Sequence, residues 1–282
     1  MPDASGGPNA AQIRYWNSRG GASWVPAQKQ TEAMLGPLGL VALEAASIEP
    51  AHKVLDVGCG CGDTSLAAAD MAGLTGEVVG LDISAPMLEL ARTRASGRDN
   101  VVFVKADAQV ADLAALQVDR VVSRFGLMFF DDPVAAFSNI RTALNATGQL
   151  SFVCWQPASR NPWMGFTGRA VAGLLEFPPG DPEAPGPFSL AEEGRIRDVL
   201  EAAEFRQTSV TSLEGDLDIV GGAKLEDAVS YSIQMSPIPG LVANDSALAD
   251  AVKTRVTAAF EEAWENGSIR LPYSCWIVTA QR

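Results

Sequence analysis

Histidine is almost missing from this sequence: His52 is the only one in 282 residues. A chain this poor in imidazole has little with which to build a histidine base or a histidine-rich metal site. His52 also falls at the start of the first expected strand, away from the expected ligand end, so it reads as a surface or structural residue. Basic residues are outnumbered, with 21 Lys and Arg against 34 Asp and Glu, a formal charge of −13. Such a surface repels phosphate backbones and no basic patch offsets it, so no nucleic-acid partner is expected. No apolar run approaches the roughly 18–20 residues of a membrane helix, so no membrane span is expected. The opening residues, MPDASGGP, lack the basic and apolar regions of a secretion signal and read as a flexible tail. Cysteine is scarce at four residues. That suits a reducing compartment, and a cytoplasmic location is expected. No segment repeats another.

What the chain does have is a glycine turn. Val54 to Thr64 reads VLDVGCGCGDT. An apolar, partly β-branched strand runs into Gly58, Gly60 and Gly62, which let the backbone turn sharply and approach a ligand. Asp63 or Thr64 is then placed to cap a helix through Leu66 to Met71. Open α/β sheets bind ligands at this end of their strands. Dinucleotide enzymes use a G-x-G-x-x-G spacing with the pyrophosphate at a helix N-terminus. Here the spacing is G-x-G-x-G, and Asp56 and Asp63 flank it. Two carboxylates repel a pyrophosphate and suit a ligand with a cationic end, such as an amino acid or a sulfonium. Val78–Asp82 reads as the next strand, and an acid at its tip accepts hydrogen bonds from ribose hydroxyls. Val101–Val104 leads to Asp107, an acid placed to meet an adenine amino group. Arg120–Ser123 leads to Arg124.

The remainder is organised around these strands. Residues 10–26 contain Tyr15, Trp16 and Trp24, which either close over a ligand or only dock the N-terminal segment. Pro37 is expected to split the next pattern into helices Ala27–Leu35 and Pro37–Ala46. Asp132 caps a helix with Pro133 at its first position and Val134, Phe137 and Leu144 inward. Gln149–Trp155 reads as the fifth strand. Seven prolines between 157 and 187 then forbid a long regular element, although Met164–Leu175 has helical potential. Ser189 and Glu192 suggest a capping box. Gln207–Leu213 alternates like a strand, 224–234 and 246–265 read as helices, Gly267 as a C-cap, and Leu271–Ala280 as the last strand. The expectation is one α/β domain over 1–282, with a seven-stranded, mostly parallel sheet and helices on both faces. Its core is approximately 48–156, 190–214 and 268–282. Insertions at 157–189 and 218–267 form a helical, proline-rich cap, and 10–47 an N-terminal lid.

The succession DVGCGCG, GLDIS, KADAQ and DRVVSRFGLMFFDDP resembles the class I S-adenosylmethionine-dependent methyltransferases. It is most similar to the small-molecule group that includes the ubiquinone and menaquinone biosynthesis enzymes. The resemblance covers roughly residues 50–155 and implies a Rossmann-like fold. It also implies S-adenosyl-L-methionine as cofactor and S-adenosyl-L-homocysteine as product. Asp56, Gly58 and Gly60 would face the methionine portion. Asp82 would take the ribose hydroxyls, with Ile83 and Met87 beside the adenine. Asp107 and the backbone of Ala108 would meet the adenine amino group, and Ser123 and Arg124 the methionine portion or the methyl. Many nucleic-acid methyltransferases carry an Asn/Asp-Pro-Pro-aromatic motif where this chain has Ser123-Arg124-Phe125-Gly126. The implied reaction is in-line methyl transfer to a small, partly apolar metabolite, driven mainly by proximity and orientation.

Plainer roles stand beside these. Arg124 either contacts substrate or pairs with Asp131 or Asp132. Cys59 and Cys61 read as small packing residues, since C-x-C alone is a poor zinc set, and no metal is expected. Cys154 and Cys275 fall in strands and are expected to be buried. Trp155 and Trp163 line an acceptor pocket or pack the core. Two other functions fit the same strand order: a non-catalytic protein binding S-adenosylmethionine or S-adenosylhomocysteine, and an NAD-dependent oxidoreductase, against which Asp56 and the loop spacing argue. The acceptor atom, a catalytic base and the oligomeric state are not encoded in any motif.

Overall fold

Valine-rich runs alternating with helical segments fold as such a sequence requires, into a sheet with helices laid across it. The structure, a computed structural model, describes residues 6–177, 180–181 and 183–282. Two helices come first, α1 (Ala10–Trp16) and α2 (Arg19–Ala46). Then follow β1 (Lys53–Val57), α3 (Asp63–Ala72), β2 (Glu77–Asp82), α4 (Ala85–Arg94), β3 (Val101–Lys105), β4 (Val118–Arg124), α5 (Pro133–Ala143) and β5 (Leu144–Trp155). The second half adds α6 (Phe166–Ala170), α7 (Glu193–Ala202), β6 (Arg206–Asp218), α8 (Leu225–Gln234), α9 (Ile238–Leu241), α10 (Ser246–Ala263) and β7 (Arg270–Gln281). Among the described residues seven strands form one sheet in the order β3-β2-β1-β4-β5-β7-β6, with only β7 running against its neighbours. This is the expected Rossmann-like arrangement.

Strand alternation divides the core between the two faces. On one face Val54, Val78, Phe103 and Val122 pack under α2, α3 and α4, through Leu43, Ala68, Leu88 and Ala91. On the other, Leu55, Val57, Val121 and Phe152 pack under α5 and α7, through Phe137, Ile140, Ile196 and Leu200. Because β1 crosses to β2 on one side and β4 on the other, the chain reverses direction of winding beside β1. The ligand end expected for an open sheet is therefore at Val57–Gly62.

Several local expectations are corrected. Pro37 does not split the helix: α2 runs unbroken through Pro26 and Pro37 for 28 residues. An interior proline costs about 3 kcal/mol, but Met34, Leu35, Leu38, Ala42 and Leu43 around it are all buried. Burial of several such side chains, at about 1.5–3 kcal/mol each, outweighs that cost. Asp63 and Thr64 do not cap α3; Gly62 stands at the cap without a side-chain bond, and Asp63 is the first helical residue. Ser189 forms no capping box, because its hydroxyl donates to the Met128 carbonyl at 2.6 Å. Gly267 caps nothing, since α10 ends at Ala263 and is followed by Trp264. Asp132 does cap α5, accepting from the Ala135 amide at 2.9 Å. Among the described residues between Pro157 and Pro187 the longest helix is the five-residue α6. Pro178, Pro179 and Pro182, like residues 1–5 of the expected tail, lie outside the described residues.

Two leucines on α2 separate packing from propensity. Leu43 is 1% exposed and Leu40 48%. Leu43→Ala is expected to cost about 2–5 kcal/mol in urea unfolding, and Leu40→Ala about 0.5 kcal/mol or less. Equal losses would mean that α2 is not anchored through its inner face.

Candidate functional site

Three glycines at alternate positions of the β1–α3 turn adopt left-handed conformations, with φ of 71° at Gly58, 53° at Gly60 and 85° at Gly62. At Gly58 a Cβ would stand 2.8 Å from the Gly126 backbone, and at Gly60 2.8 Å from the Met87 methyl. Only glycine satisfies both the turn and the close approach. The turn opens onto a cavity of about 910 Å³ that reaches across the sheet ends into the second half of the chain. That is the size range of small-molecule sites, about 300–1,000 Å³.

Most of the expected site residues meet in the wall of this cavity: Gly58, Gly60, Asp82, Ile83, Met87, Asp107, Ala108 and Arg124. Asp82, at the tip of β2, accepts from the Gly60 amide through Oδ2 and from the Ser84 amide through Oδ1, both at 2.8 Å. The carboxylate thus holds the glycine turn against the neighbouring strand. Burial pushes its pKa up, and the backbone amides of Ser84, Gly60 and Ile83 pull it back. Asp107 accepts from the Asn9 side-chain amide on both oxygens, at 3.0 and 2.9 Å, and from the Gln109 amide at 2.9 Å.

Two expected contacts are not in the wall. Asp56 alternates with Leu55 and Val57 and so points into the α3 layer, fully buried. There its Oδ2 accepts from the Ser65 hydroxyl at 2.6 Å, and among the described residues its Oδ1 has no partner. Burial raises its pKa to about 7. Ser123 is also fully buried. Its hydroxyl donates to the Val57 carbonyl at 2.7 Å and accepts from the Gly126 amide, which staples the ends of β1 and β4. Of the two acids that flank the glycine turn, Asp63 is the one that reaches the wall. It accepts from Gln28 at 2.7 Å and from Arg94. Arg124 pairs with Glu32 at 2.6 Å rather than with Asp131 or Asp132, and its other nitrogen lies 3.9 Å from Asp63. His52 stays at the far end of β1, where its Nδ1 accepts from the Glu49 amide.

The rest of the wall joins aromatics offered by the sequence, Tyr15, Trp16, Trp24, Trp155 and Trp163, to residues that it hid. Tyr15, Trp16 and Trp24 line it, and Trp16 packs edge-on against Trp24 and Phe129. From α2 come Trp24, Gln28, Thr31 and Leu35. Their i, i+4, i+7, i+11 spacing was the available signal, but polar members disguised it. Phe125 holds a φ of 57° and lays its ring parallel on Trp155, centroids 4.0 Å apart. Trp163 meets Trp155 edge-on at 5.2 Å. Thr31 and Tyr231 share a hydrogen bond of 3.0 Å. Cys59 and Cys61 also line the cavity, and all four cysteines are buried free thiols. One end of the cavity therefore carries carboxylates and loop backbone, the other aromatic and aliphatic surface.

Residues 54–148 match a family of methyltransferase domains. The likeness to methyltransferases read from the motifs holds. An uncharacterised protein of Mycobacterium tuberculosis is 31% identical over 149 residues, 52% of this chain and 51% of that protein. Demethylmenaquinone methyltransferase of Staphylococcus aureus is 35% identical over 98 residues, 35% of this chain and 41% of that enzyme. The chain thus spans about half the length, or less, of the curated relatives it matches. Among solved structures, the YcgJ protein of Bacillus subtilis superposes with a TM-score of 0.56 at 17% identity, over 87% of this chain and 97% of that one. The methyltransferase match ends before β6, β7 and the helices that close the aromatic end of the cavity.

Asp56 provides a test of this layout. Its folded pKa of about 7 lies above the ordinary 3.8. Between those values the folded state keeps a proton that the unfolded state releases, so this group's contribution to stability falls as pH rises. The slope is about 1.4 kcal/mol per pH unit. Asp56→Asn should therefore gain on the wild type steadily between about pH 5 and pH 7 in urea titrations. A difference independent of pH would show that Asp56 is ionised and not buried as described.

Proposed function

We propose that this chain transfers a methyl group from S-adenosylmethionine to a small, partly apolar acceptor. The observation that carries this reading is the continuity of the cavity. The glycine turn with Asp82 and Asp107 opens directly onto the chamber of Phe125, Trp155, Trp163 and Tyr231. A cofactor and an acceptor have room to lie end to end there.

The residues present suit this cofactor. Gly58 and Gly60 present bare loop backbone at the cavity wall, packed closely against Gly126 and Met87, and Asp82 offers its remaining lone pairs at a strand tip, where ribose hydroxyls need acceptors. Ile83 and Met87 supply apolar faces for the adenine, with Asp107 and Ala108 at its edge. Asp63, rather than Asp56, is the carboxylate placed for the cationic amino group. When bound, the cofactor supplies a methyl group already activated by the positive sulfur. The chain's part is then to align, to exclude water and to fix the acceptor's orientation, where effective molarity is worth roughly 7–11 kcal/mol. Phe125, Trp155 and Trp163 give that chamber its apolar walls, and Tyr231 and Arg124 its polar points. The name of the Staphylococcus aureus relative, a demethylmenaquinone methyltransferase, supports a small apolar acceptor.

Calorimetry is expected to show micromolar binding of S-adenosylhomocysteine by the wild type. Asp82→Ala should weaken it about tenfold or more, the loss of hydrogen bonds to a charged acceptor. NADH should not bind. Labelled methyl transfer to a member of a phenol, thiol, amine and quinol panel would establish catalysis. Absence of S-adenosylhomocysteine binding, or an unchanged affinity in Asp82→Ala, would overturn the reading.

A further inference from the structure

Asn9 stands just ahead of α1, and it makes more long-range hydrogen bonds than docking that helix requires. It is 2% exposed and adopts a left-handed φ of 57°. Its backbone amide donates to Asp131 Oδ2 at 2.7 Å, and its Oδ1 accepts from the Asp131 amide at 2.7 Å. Its Nδ2 donates to Asp107 Oδ1 and Oδ2 at 3.0 and 2.9 Å and to Gln109 Oε1 at 3.0 Å. Docking of α1 itself is served at its other end. There Asn17 donates to the Ile83 carbonyl at 2.8 Å and accepts from the Ala85 amide, and the Ser84 hydroxyl donates to the Trp16 carbonyl.

Asp107 needs such a partner. It lies in the cavity wall, and apart from Asn9 its carboxylate is held by the Gln109 amide, on Oδ1. Asn9 bridges both oxygens and so fixes the plane of the carboxylate. A carboxylate oxygen accepts about two hydrogen bonds. Oδ2, bonded to Asn9 among the described residues, keeps an acceptor site for a ligand. We propose that Asn9 is a positioning residue: it aims Asp107 at the amino group on the adenine of the bound cofactor, while closing α1 across that end of the cavity. This rests on the cofactor reading given above.

Two ligands separate aiming from closure. S-adenosylhomocysteine carries the 6-amino donor; S-inosylhomocysteine has an oxygen there, which cannot donate to Asp107. Binding is followed by tryptophan fluorescence, since Trp16 and Trp24 line the cavity. Asn9→Ala is expected to weaken S-adenosylhomocysteine about tenfold and the inosine analogue less than about threefold, because the lost charge-assisted bond concerns only the first. Asn9→Asp places a carboxylate against Asp107 and Asp131 and should reduce adenine binding at least as much. The ratio of the two affinities is read within each folded variant, so a change in overall stability does not imitate the result. Equal losses for both ligands would reduce Asn9 to an anchor of α1 and overturn the proposal, as would unchanged affinities in both variants. Failure of the wild type to bind either ligand would instead remove the cofactor reading on which the proposal rests.

Discussion

The contact on which this structure depends is the approach of two backbones, at Gly58 and Gly126. A Cβ on Gly58 would meet the Gly126 Cα at 2.8 Å, and one on Gly126 would meet the Val57 carbonyl at 2.7 Å. The ends of β1 and β4 are thereby drawn together, and the Ser123 hydroxyl stitches the gap. The chain leaving β4 has no room to continue straight. Phe125 takes the turn in a left-handed conformation, which for a bulky residue costs on the order of 1–3 kcal/mol. In exchange its ring lies flat on Trp155 and its neighbour Arg124 faces the cavity. The polar floor and the aromatic wall thus have one steric origin.

Charge is arranged around that contact with unequal treatment of similar acids. Asp63 lies beside two guanidiniums and an amide, those of Arg94, Arg124 and Gln28. Asp82 is met by backbone amides, and Asp107 by an asparagine. Asp56, one hydroxyl and an empty dielectric, has its pKa raised until it is half protonated near neutrality. Behind the cavity wall, a half-protonated Asp56 adds less repulsion to the charges of Asp63 and Asp82 than a full carboxylate would.

How much of this the sequence disclosed follows from which signals are local. The glycine turn, the acids at strand tips and the Asp132 cap are each written within a few residues, and they were legible. Strand alternation is equally local, and it turns Asp56 away from the cavity, against the role that the family resemblance implies. The continuity of α2 was hidden because Pro37 is a strong local breaker, whereas the burial that overrides it comes from β4 and β5, far along the chain. Asn9, Thr31 and Tyr231 were invisible for a similar reason. Their partners are about 100 to 200 residues away, and a lone asparagine or tyrosine carries no period.

The helix that the sequence divided is also what joins the two halves of the site. At 1.5 Å per residue α2 is about 42 Å long. Near its start Arg19 donates to the Ser236 carbonyl, at its middle Gln30 donates to the Val220 carbonyl, and Thr31 bonds Tyr231. On the same stretch Gln28 grips Asp63 of the glycine turn and Glu32 holds Arg124. One continuous rod therefore sets the distance between the carboxylate end of the cavity and the segments that close its aromatic end. All of these contacts lie between Arg19 and Glu32, ahead of Pro37, so it is continuity through Pro26, between Arg19 and Gln28, that fixes the distance. The methyl transfer proposed above would depend on alignment, and displacements of about 1 Å cost such a reaction rate steeply, so a helix that runs on through Pro26 serves that geometry better than a break there would.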